Sequence, residues 1–378
     1  MRICYIANLE SVHTQRWVEY FINSGHQAYL ITTPPLPKKY PKDIKLFLLR
    51  RFTRYEGILR YLINFLYLIP NLLRISRIIN NIQPDIIHIH YINELALCAA
   101  LIKSRPLIIT VWGSDILVTP RNFKLLNRMV RYVLRKADLI TCDAKHMKKA
   151  MVRLGVEESK IKIIYFGTDV KKFCPEKRSQ TLREELDFDN HPLVISLRSF
   201  EPIYDIETLI RTVPLVLKKA PETNFLIIGR GSQELKLKKL AESLGVLDKI
   251  KFTGWIPNDE LPRYLASADI YVSTSLSDAG LAASTAEAMA CELPVIVTDF
   301  GENKEWVKDG DGGSVIPLSN PKILAEKIIY LTKNKDARVN FGKFNRKIIE
   351  ERNNYYKEMG KMEEEYNKIK NEFCKTSS

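Results

Sequence analysis

Residues 277–298 read SDAGLAASTAEAMACELPVIVT, a run of small residues followed by a helical pattern and by a β-branched strand pattern that opens after Pro294. Small side chains at the start of a helix let a bulky ligand approach the N–H groups there, and those groups bind phosphate together with the helix dipole. Glu287 lies about one and a half turns further along, where its carboxylate can accept hydrogen bonds from a diol. The stretch predicts a loop, a helix and a buried strand of an α/β domain that binds phosphate. In the alternative interpretation the small residues only allow close helix–sheet packing, and Glu287 is a solvated carboxylate.

Short β-branched runs alternate with helical stretches along most of the chain. Strand patterns occupy residues 3–7, 28–32, 85–90, 107–111, 138–142 and 162–165, and then 193–197, 224–228, 250–253, 270–273 and 295–298. This alternation is typical of parallel sheets that helices cover on both faces. We therefore expect two doubly wound, Rossmann-like α/β domains that face each other across a cleft, with ligands at the carboxyl ends of the strands.

The domain boundaries are predicted from a break in this alternation. Residues 175–191 are rich in charge and poor in large apolar side chains, so we interpret them as a linker. The first domain then covers residues 1–174 and the second covers residues 192–345. Residues 346–378 form a charged helical pattern, the C-terminal tail.

Composition restricts the class of protein. The 378 residues are 46% hydrophobic and 27% charged, as in soluble globular proteins. Six cysteines are widely spaced, with no C-x-x-C pair and no metal-ligand spacing, which indicates reduced thiols and a cytoplasmic location. A strand pattern begins at residue 3, so we expect no signal peptide.

The net charge of +14 predicts an acidic partner. Residues 42–79 carry eight basic residues interleaved with aliphatic and aromatic ones, and the longest uncharged run, 61–73, is shorter than the ~20 residues that span a bilayer. This pattern favours an amphipathic segment lying on an anionic membrane surface. The alternative is a set of core-facing helices with a solvated basic face. A nucleic-acid partner is not expected, because the segment lacks spaced aromatic stacking platforms.

Several motifs accompany the opening stretch. Leu-Arg-Ser-Phe (197–200) follows the first strand of the second domain, Gly-Arg-Gly (229–231) follows the next strand, and Gly-Trp-Ile-Pro (254–257) follows a third. Together with the Glu-Ala-Met-Ala-Cys-x-Leu-Pro-Val-Ile string that starts at Glu287, they resemble the nucleotide-sugar site of the family-4 retaining glycosyltransferases, which have the GT-B fold. The resemblance runs from residue 1 to about 345 and implies that the tail packs back on the first domain. From the residues alone, the alternative is that the tail is a solvated helix.

The resemblance implies a transferase that moves a sugar from a nucleotide-diphosphate donor to a hydroxyl acceptor with retention of configuration. Arg198 and the helix N-terminus near Ala283 would stabilise the leaving diphosphate. Arg198, Glu287 and Asp115 are the candidate catalytic residues. No metal and no cofactor are expected. The implied donor-binding residues are Arg198, Gly229, Gly231, Ile256, Asp278, Gly280, Leu281, Ala282, Ala283 and Glu287.

Two departures from the family pattern concern the donor site. The family places a lysine a few residues after the arginine, whereas residues 201–205 here contain none. The family also pairs two acids as Glu-x7-Glu, but the residue eight positions before Glu287 is Ala279, and Asp278 lies nine before it. Either a one-residue bulge presents Asp278 at the same place, or backbone N–H groups near Gly280 and Leu281 hold the sugar.

In the first domain, residues 8–17 join the first strand to the first helix, with Ser11 as the predicted N-cap. Three polar side chains are expected near an acceptor: His13 and Arg16, which share a helix face, and His90, which ends a strand. In the alternative interpretation, His13 is a histidine of the capping region with no chemical role. Residues 111–115 resemble the family's His-Gly-x-Asp with Trp in place of His, which leaves Asp115 as the candidate for an acceptor hydroxyl.

The sequence thus predicts a cytoplasmic glycosyltransferase, peripheral on the inner face of the plasma membrane, with a glycan or lipid-linked acceptor. One alternative is a sugar-nucleotide epimerase of the same fold. Another is a non-catalytic nucleotide-sugar-binding protein or membrane scaffold, which the missing lysine and the shifted acid favour.

Overall fold

The computed structural model describes residues 1–49, 67–102, 105–118, 124–188, 191–278 and 280–377. The chain divides into two compact units, unit 1 with residues 1–166 and 357–378, and unit 2 with residues 167–356. Each unit is a parallel-sheet α/β domain, as the alternating pattern predicts. Part of the basic segment 42–79, including Arg50, Arg51, Arg54 and Arg60, lies outside the described residues.

Unit 1 is built on a parallel sheet whose central strands are buried on both faces. Ile3, Cys4 and Tyr5 in the first strand are fully buried, which is why this strand reads as a continuous apolar run rather than an alternating one. The strand order is β3-β2-β1-β4-β5-β6-β7. The strands are β1 (Arg2–Ile6), β2 (Gln27–Thr32), β3 (Lys45–Leu48), β4 (Ile86–His90), β5 (Leu107–Thr110), β6 (Leu139–Cys142) and β7 (Ile161–Ile163).

Amphipathic helices cover this sheet. The helix at residues 124–136 buries apolar side chains three and four positions apart, among them Leu126, Met129 and Val133, while its basic residues face outward. The helices are α1 (Val12–Asn23), α2 (Leu68–Ile82), α3 (Glu94–Ile102), α4 (Ser114–Leu117), α5 (Lys124–Lys136) and α6 (Lys145–Arg153). In the described part of the chain, no helix is both long enough and apolar enough to cross a bilayer.

Unit 2 repeats the plan with the strand order β10-β9-β8-β11-β12-β13, all parallel. Leu193 and Ile195 pack in one core cluster and Val194 packs in another, so helices cover both faces of the sheet. The strands are β8 (Leu193–Leu197), β9 (Asn224–Ile228), β10 (Ile250–Gly254), β11 (Ile270–Ser273), β12 (Val295–Thr298) and β13 (Gly313–Ile316).

The helices of unit 2 connect these strands and extend beyond the last of them. They are α7 (Gln180–Glu185), α8 (Ile206–Leu217), α9 (Glu234–Ser243), α10 (Leu261–Ser267), α11 (Ala283–Ala290), α12 (Asn303–Trp306), α13 (Pro321–Lys333) and α14 (Lys335–Arg352). The opening stretch of the sequence therefore becomes a loop, helix α11 and strand β12, in the order predicted.

The unit boundaries differ from the predicted ones. Residues 175–191, interpreted above as a linker, belong to unit 2, because Leu182, Leu186 and Phe188 enter one of its core clusters. The buried guanidinium of Arg183 ties α7 to the same unit by donating to the Ser267 carbonyl at 2.6 Å. These apolar residues are too widely spaced to stand out in a charged stretch.

The C-terminal tail is also divided differently. Residues 346–356 belong to unit 2, and residues 357–378 join unit 1 through helix α15 (Tyr355–Ser377). Tyr366 of α15 is fully buried, its hydroxyl lies 2.5 Å from His88 Nδ1, and it accepts a hydrogen bond from Trp17 Nε1 at 3.2 Å. Met359 and Met362 of the same helix are also fully buried. These contacts make α15 part of the core of unit 1 and not a solvated helix.

Candidate functional site

The predicted donor residues of unit 2 lie where several parallel strands end. The register pairs Leu197 of β8 with Ile228 of β9, and Ile228 with Gly254 of β10. Backbone bonds continue beyond these pairs, with Arg198 N donating to the Ile228 carbonyl at 3.2 Å and Gly229 N donating to the Gly254 carbonyl at 3.0 Å. The motifs after β8, β9 and β10 therefore form one edge, as expected for a ligand site of a parallel sheet.

Arg198 is the most strongly held polar side chain at this edge. Its Nη2 donates to Ser275 Oγ at 3.3 Å and to Asp278 Oδ1, its Nη1 donates to Ser284 Oγ at 3.4 Å, and its guanidinium carbon lies 4.3 Å from the centre of the Tyr204 ring. Within the described residues, Arg198 Nε is buried and has no acceptor. The guanidinium is thus fixed beside the first turn of α11.

The N-terminus of α11 has the features predicted from small residues. Ala282 occupies the N-cap position in an extended conformation and, as alanine, has no side chain to cap the helix, while Ala283 is exposed. The first N–H groups of a helix have no partner within the helix, so they are donors available to an anion. Ser284 in this turn is held by Tyr271, whose hydroxyl oxygen lies 2.8 Å from Ser284 Oγ.

Three predicted donor-binding residues, Gly280, Leu281 and Glu287, differ in which of their groups a ligand can reach. Gly280 is buried and the Leu281 side chain packs against the core, so these two residues offer a ligand their backbones only. Glu287 is half-buried in the second turn of α11. Burial raises the pKa of the Cys291 thiol, and the nearby Glu287 carboxylate raises it further.

The two glycines after β9 are required by close packing between loops. A Cβ atom on Gly229 would lie 2.1 Å from the Arg198 carbonyl oxygen, and one on Gly231 would lie 2.5 Å from the Phe200 carbonyl oxygen. The loop is fastened by Glu201, whose two carboxylate oxygens accept from Ser232 N at 2.8 Å and from Ser232 Oγ at 2.5 Å. These hydrogen bonds lower the pKa of Glu201. The glycines therefore place the β9 loop against the β8 loop that carries Arg198.

In the segment after β10, one side chain is half-buried and its neighbour is exposed. Ile256 is half-buried and packs against the core of unit 2. Its neighbour Trp255 is 63% exposed. The side chain of Ile256 thus packs in unit 2, and its contact with a donor stays a prediction.

The acceptor-side residues are all in unit 1, and they surround the carboxyl ends of β1, β4 and β5. Helix α1 begins directly after Ser11, as predicted, but within the described residues the Ser11 side chain makes no capping hydrogen bond. His13 stacks on Phe166 with 4.2 Å between ring centres. Burial, with a smaller effect from Arg16, lowers the pKa of His13 to about 4, so its imidazole is neutral at pH 7.

His90 and Asp115 are buried, contrary to the expectation that they face an acceptor. His90 is 2% exposed, its Nδ1 lies 3.2 Å from Thr14 Oγ1, and burial lowers its pKa to about 3. Asp115 is fully buried and accepts hydrogen bonds from the amides of Ile92, Trp112 and Gly113 at 3.0–3.1 Å. Burial raises the pKa of Asp115 to about 6. Because these bonds occupy the Asp115 carboxylate, its role in the structure is to hold the loop after β5.

Over the residues that the structure describes, no three His, Cys, Asp or Glu side chains are grouped closely enough to hold a metal ion.

Two family models match the chain, each in one half. The model of "Glycosyl transferase 4-like" proteins matches residues 2–144, and the model of "Glycosyl transferases group 1" matches residues 178–348. The chain belongs to the group 1 glycosyltransferases. The family predicted from the motifs is confirmed.

Individual relatives of this glycosyltransferase are distant. A GDP-mannose-dependent alpha-(1-6)-phosphatidylinositol monomannoside mannosyltransferase of Mycolicibacterium smegmatis is 28% identical over 194 residues, 50% of this chain and 51% of that protein. This chain thus spans about half the length of that relative. The N-acetyl-alpha-D-glucosaminyl L-malate synthase of Bacillus anthracis is 23% identical over 71% of this chain and 70% of its own length.

A solved structure supports the fold over nearly the whole length. Anabaena Alr3699/HepE in complex with UDP superposes with a TM-score of 0.78 and 18% identity, covering 97% of this chain and 100% of that chain. The predicted fold class, α/β with two parallel-sheet domains of the GT-B type, is confirmed.

Sequence reasoning missed the side chains that support Arg198. Ser275, Ser284 and Tyr204 lie 77, 86 and 6 positions from Arg198 in the sequence, and small hydroxyl residues are common in any loop. Glu201 lies in the stretch 201–205, which the sequence distinguishes only by its lack of a lysine. Its reciprocal bonds to Ser232 join two motifs, which residue type alone does not indicate.

Proposed function

We propose that this glycosyltransferase transfers a hexosyl group from a nucleoside-diphosphate sugar to a hydroxyl acceptor with retention of anomeric configuration. The observation that carries the proposal is the Arg198 guanidinium, which protein groups hold beside the uncapped N-terminus of α11. A planar cation and a set of aligned N–H groups at one place are complementary to a diphosphate.

In this mechanism the transition state is stabilised by electrostatics. As the bond between the sugar and the diphosphate breaks, negative charge grows on the leaving phosphate oxygen, where Arg198 and the amides near Ala283 stabilise it. Glu287 accepts hydrogen bonds from the ribose diol, and the backbone near Gly280 and Leu281 holds the sugar. Because Arg198 and the amides near Ala283 compensate the negative charge of the diphosphate, we propose that the reaction requires no metal and no cofactor.

The names of similar proteins support a nucleoside-diphosphate donor. One relative is named as GDP-mannose-dependent, and the superposed Anabaena structure is a complex with UDP. In this chain we propose that the main chain at residues 254–256 contacts the base.

The acceptor side is proposed to be in unit 1, with Ser11, His13 and Arg16 near the acceptor hydroxyl. The acceptor is a glycan precursor or a lipid-linked glycan, presented at an anionic membrane on the cytoplasmic side. The exposed face of α2 supports this proposal, because Ile69 and Leu73 are 67% and 65% exposed and the basic Arg74 and Arg77 are exposed beside them.

The proposal is tested first by ligand binding and then by transfer. Purified protein is screened for thermal stabilisation by UDP-, GDP- and ADP-sugars, and the stabilising donor is then incubated with polyprenyl-linked and soluble hydroxyl acceptors. We expect one nucleotide class to stabilise the chain and the product to keep the donor's anomeric configuration by NMR.

Other outcomes identify the alternatives. Conversion of the sugar nucleotide without an acceptor indicates an epimerase. Binding without any turnover indicates a nucleotide-sugar-binding protein. A protein that no sugar nucleotide stabilises contradicts the proposed function.

A further inference from the structure

Asp278 and Arg198 form an ion pair that is largely shielded from water. Their side chains are 9% (Arg198) and 11% (Asp278) exposed, and Asp278 Oδ1 accepts from Arg198 Nη2. Ion pairs at exposed positions contribute little because water and salt screen them, whereas a shielded pair interacts strongly. The carboxylate is therefore an effective partner of the guanidinium.

The pair completes a set of contacts that fixes the guanidinium from several sides. The Tyr204 ring lies against it, and Ser275 and Ser284 accept hydrogen bonds from its two terminal nitrogens. Ser275 is itself oriented, because its hydroxyl donates to the Ser277 carbonyl at 3.0 Å. Protein groups alone therefore hold Arg198 at the N-terminus of α11.

A phosphate that binds at the same place meets Asp278 as a competitor. The Asp278 carboxylate and a phosphate are both anions, and both are complementary to Arg198 Nη2. If the phosphate shares the guanidinium, it lies near a like charge, and if it displaces Asp278, the ion pair must break. Either route makes phosphate binding weaker than the cation alone would give.

We propose that Asp278 is a positioning residue, which orients Arg198 toward the diphosphate and also weakens the hold of the site on the nucleoside diphosphate. The inference rests on the proposed function. It accounts for both departures of this chain from its family pattern. Asp278, nine positions before Glu287, contacts Arg198 and not the sugar. Residues 201–205 contain no lysine, so Arg198 binds the diphosphate without the second cation of the family, and Asp278 orients it.

The test compares nucleotide binding with turnover in Asp278→Asn, which keeps the shape of the side chain and removes its charge. UDP, GDP, ADP and inorganic pyrophosphate are titrated separately by calorimetry. We expect the Kd of the nucleoside diphosphate that the parent protein binds to fall by about three- to tenfold, and kcat to fall because Arg198 is less well oriented and the product leaves more slowly. A purely structural role for Asp278 would weaken binding instead.

Two controls separate this effect from general electrostatics. Asp299→Asn removes the same charge from an exposed carboxylate directly after β12, and its Kd should stay within about twofold of the parent value. In an Arg198→Gln background, Asp278→Asn should no longer lower kcat, because the group that Asp278 orients is absent. Asp278→Ser also removes the charge and should tighten nucleotide binding, so it tests the proposal if Asp278→Asn folds poorly.

Unchanged or weaker nucleoside-diphosphate binding by a folded Asp278→Asn protein overturns the inference. So does a loss of affinity for the sugar nucleotide alone, since that result makes Asp278 a sugar contact. A parent protein that binds none of the four probes contradicts the proposed function itself.

Discussion

Replacing Arg198 by Gln removes the cation proposed to stabilise the leaving diphosphate. Charge-assisted hydrogen bonds are worth about 1.5–3 kcal/mol each, and two terminal nitrogens, already directed toward Ser275 and Ser284, face the N-terminus of α11. A Gln amide keeps one donor without the charge. We therefore expect a loss of about 3 kcal/mol in the transition state, which corresponds to a fall in kcat of about 10²-fold.

A second effect follows from Asp278. Without the guanidinium its shielded carboxylate has lost its cationic partner, so the Arg198→Gln protein should also be less stable and should bind the anionic donor more weakly. The KM for the donor should therefore rise, in addition to the fall in kcat. Arg198→Lys keeps a charge without the planar fork and should lie between the parent and Arg198→Gln.

The assay is steady-state transfer from the donor identified by the stabilisation screen, with circular dichroism as the check of folding. If kcat of a folded Arg198→Gln protein stays within about threefold of the parent value while only KM changes, Arg198 merely tethers the donor, and the proposed catalytic role is refuted.

Three further predictions concern other parts of the chain. Glu287→Gln should weaken donor binding by about 10- to 100-fold with the fold preserved, measured by calorimetry, and unchanged affinity would exclude a ribose contact. Folding lowers the pKa of His13 from 6.5 to about 4, so the imidazole binds a proton more readily in the unfolded chain than in the folded one. The free energy of unfolding therefore falls as the pH falls from about 6.5 to 4. His13→Gln should reduce this acid sensitivity by about 2 kcal/mol in urea unfolding at pH 4.5 and 7, and equal sensitivity would contradict the assignment. Replacement of Arg50, Arg51 and Arg54 by Ser should abolish binding to anionic liposomes without changing turnover of a soluble acceptor. Equal binding of parent and variant to anionic and neutral vesicles would contradict the membrane proposal.

The parts of the fold that the sequence predicts are those whose strands are buried on both faces. Such strands read as apolar runs, as in β5 and β12. Two edge strands, β3 (Lys45–Leu48) and β13 (Gly313–Ile316), were not predicted. β3 is only half-buried and β13 begins with glycine, so neither has the composition of a buried strand.

The site was predictable to the extent that it follows from topology. Arg198 and the start of α11 come together because they lie at the carboxyl ends of neighbouring parallel strands, β8 and β11. The pairing of Arg198 with Asp278 was not predictable, since it depends on the conformation of one loop. The burial of Asp115 was missed for a similar reason, because its acceptor role for three backbone amides is set by the turn after β5.

The position of α15 in unit 1 has a consequence for biosynthesis. The ribosome makes residues 1–166 first, yet Trp17 and His88 lack their partner Tyr366 until unit 2 has been translated. The 190 residues of 167–356 take on the order of 10 to 40 s to synthesise at typical rates. During that interval unit 1 exposes apolar surface that α15 later covers, while unit 2, made from one continuous segment, can complete its core first.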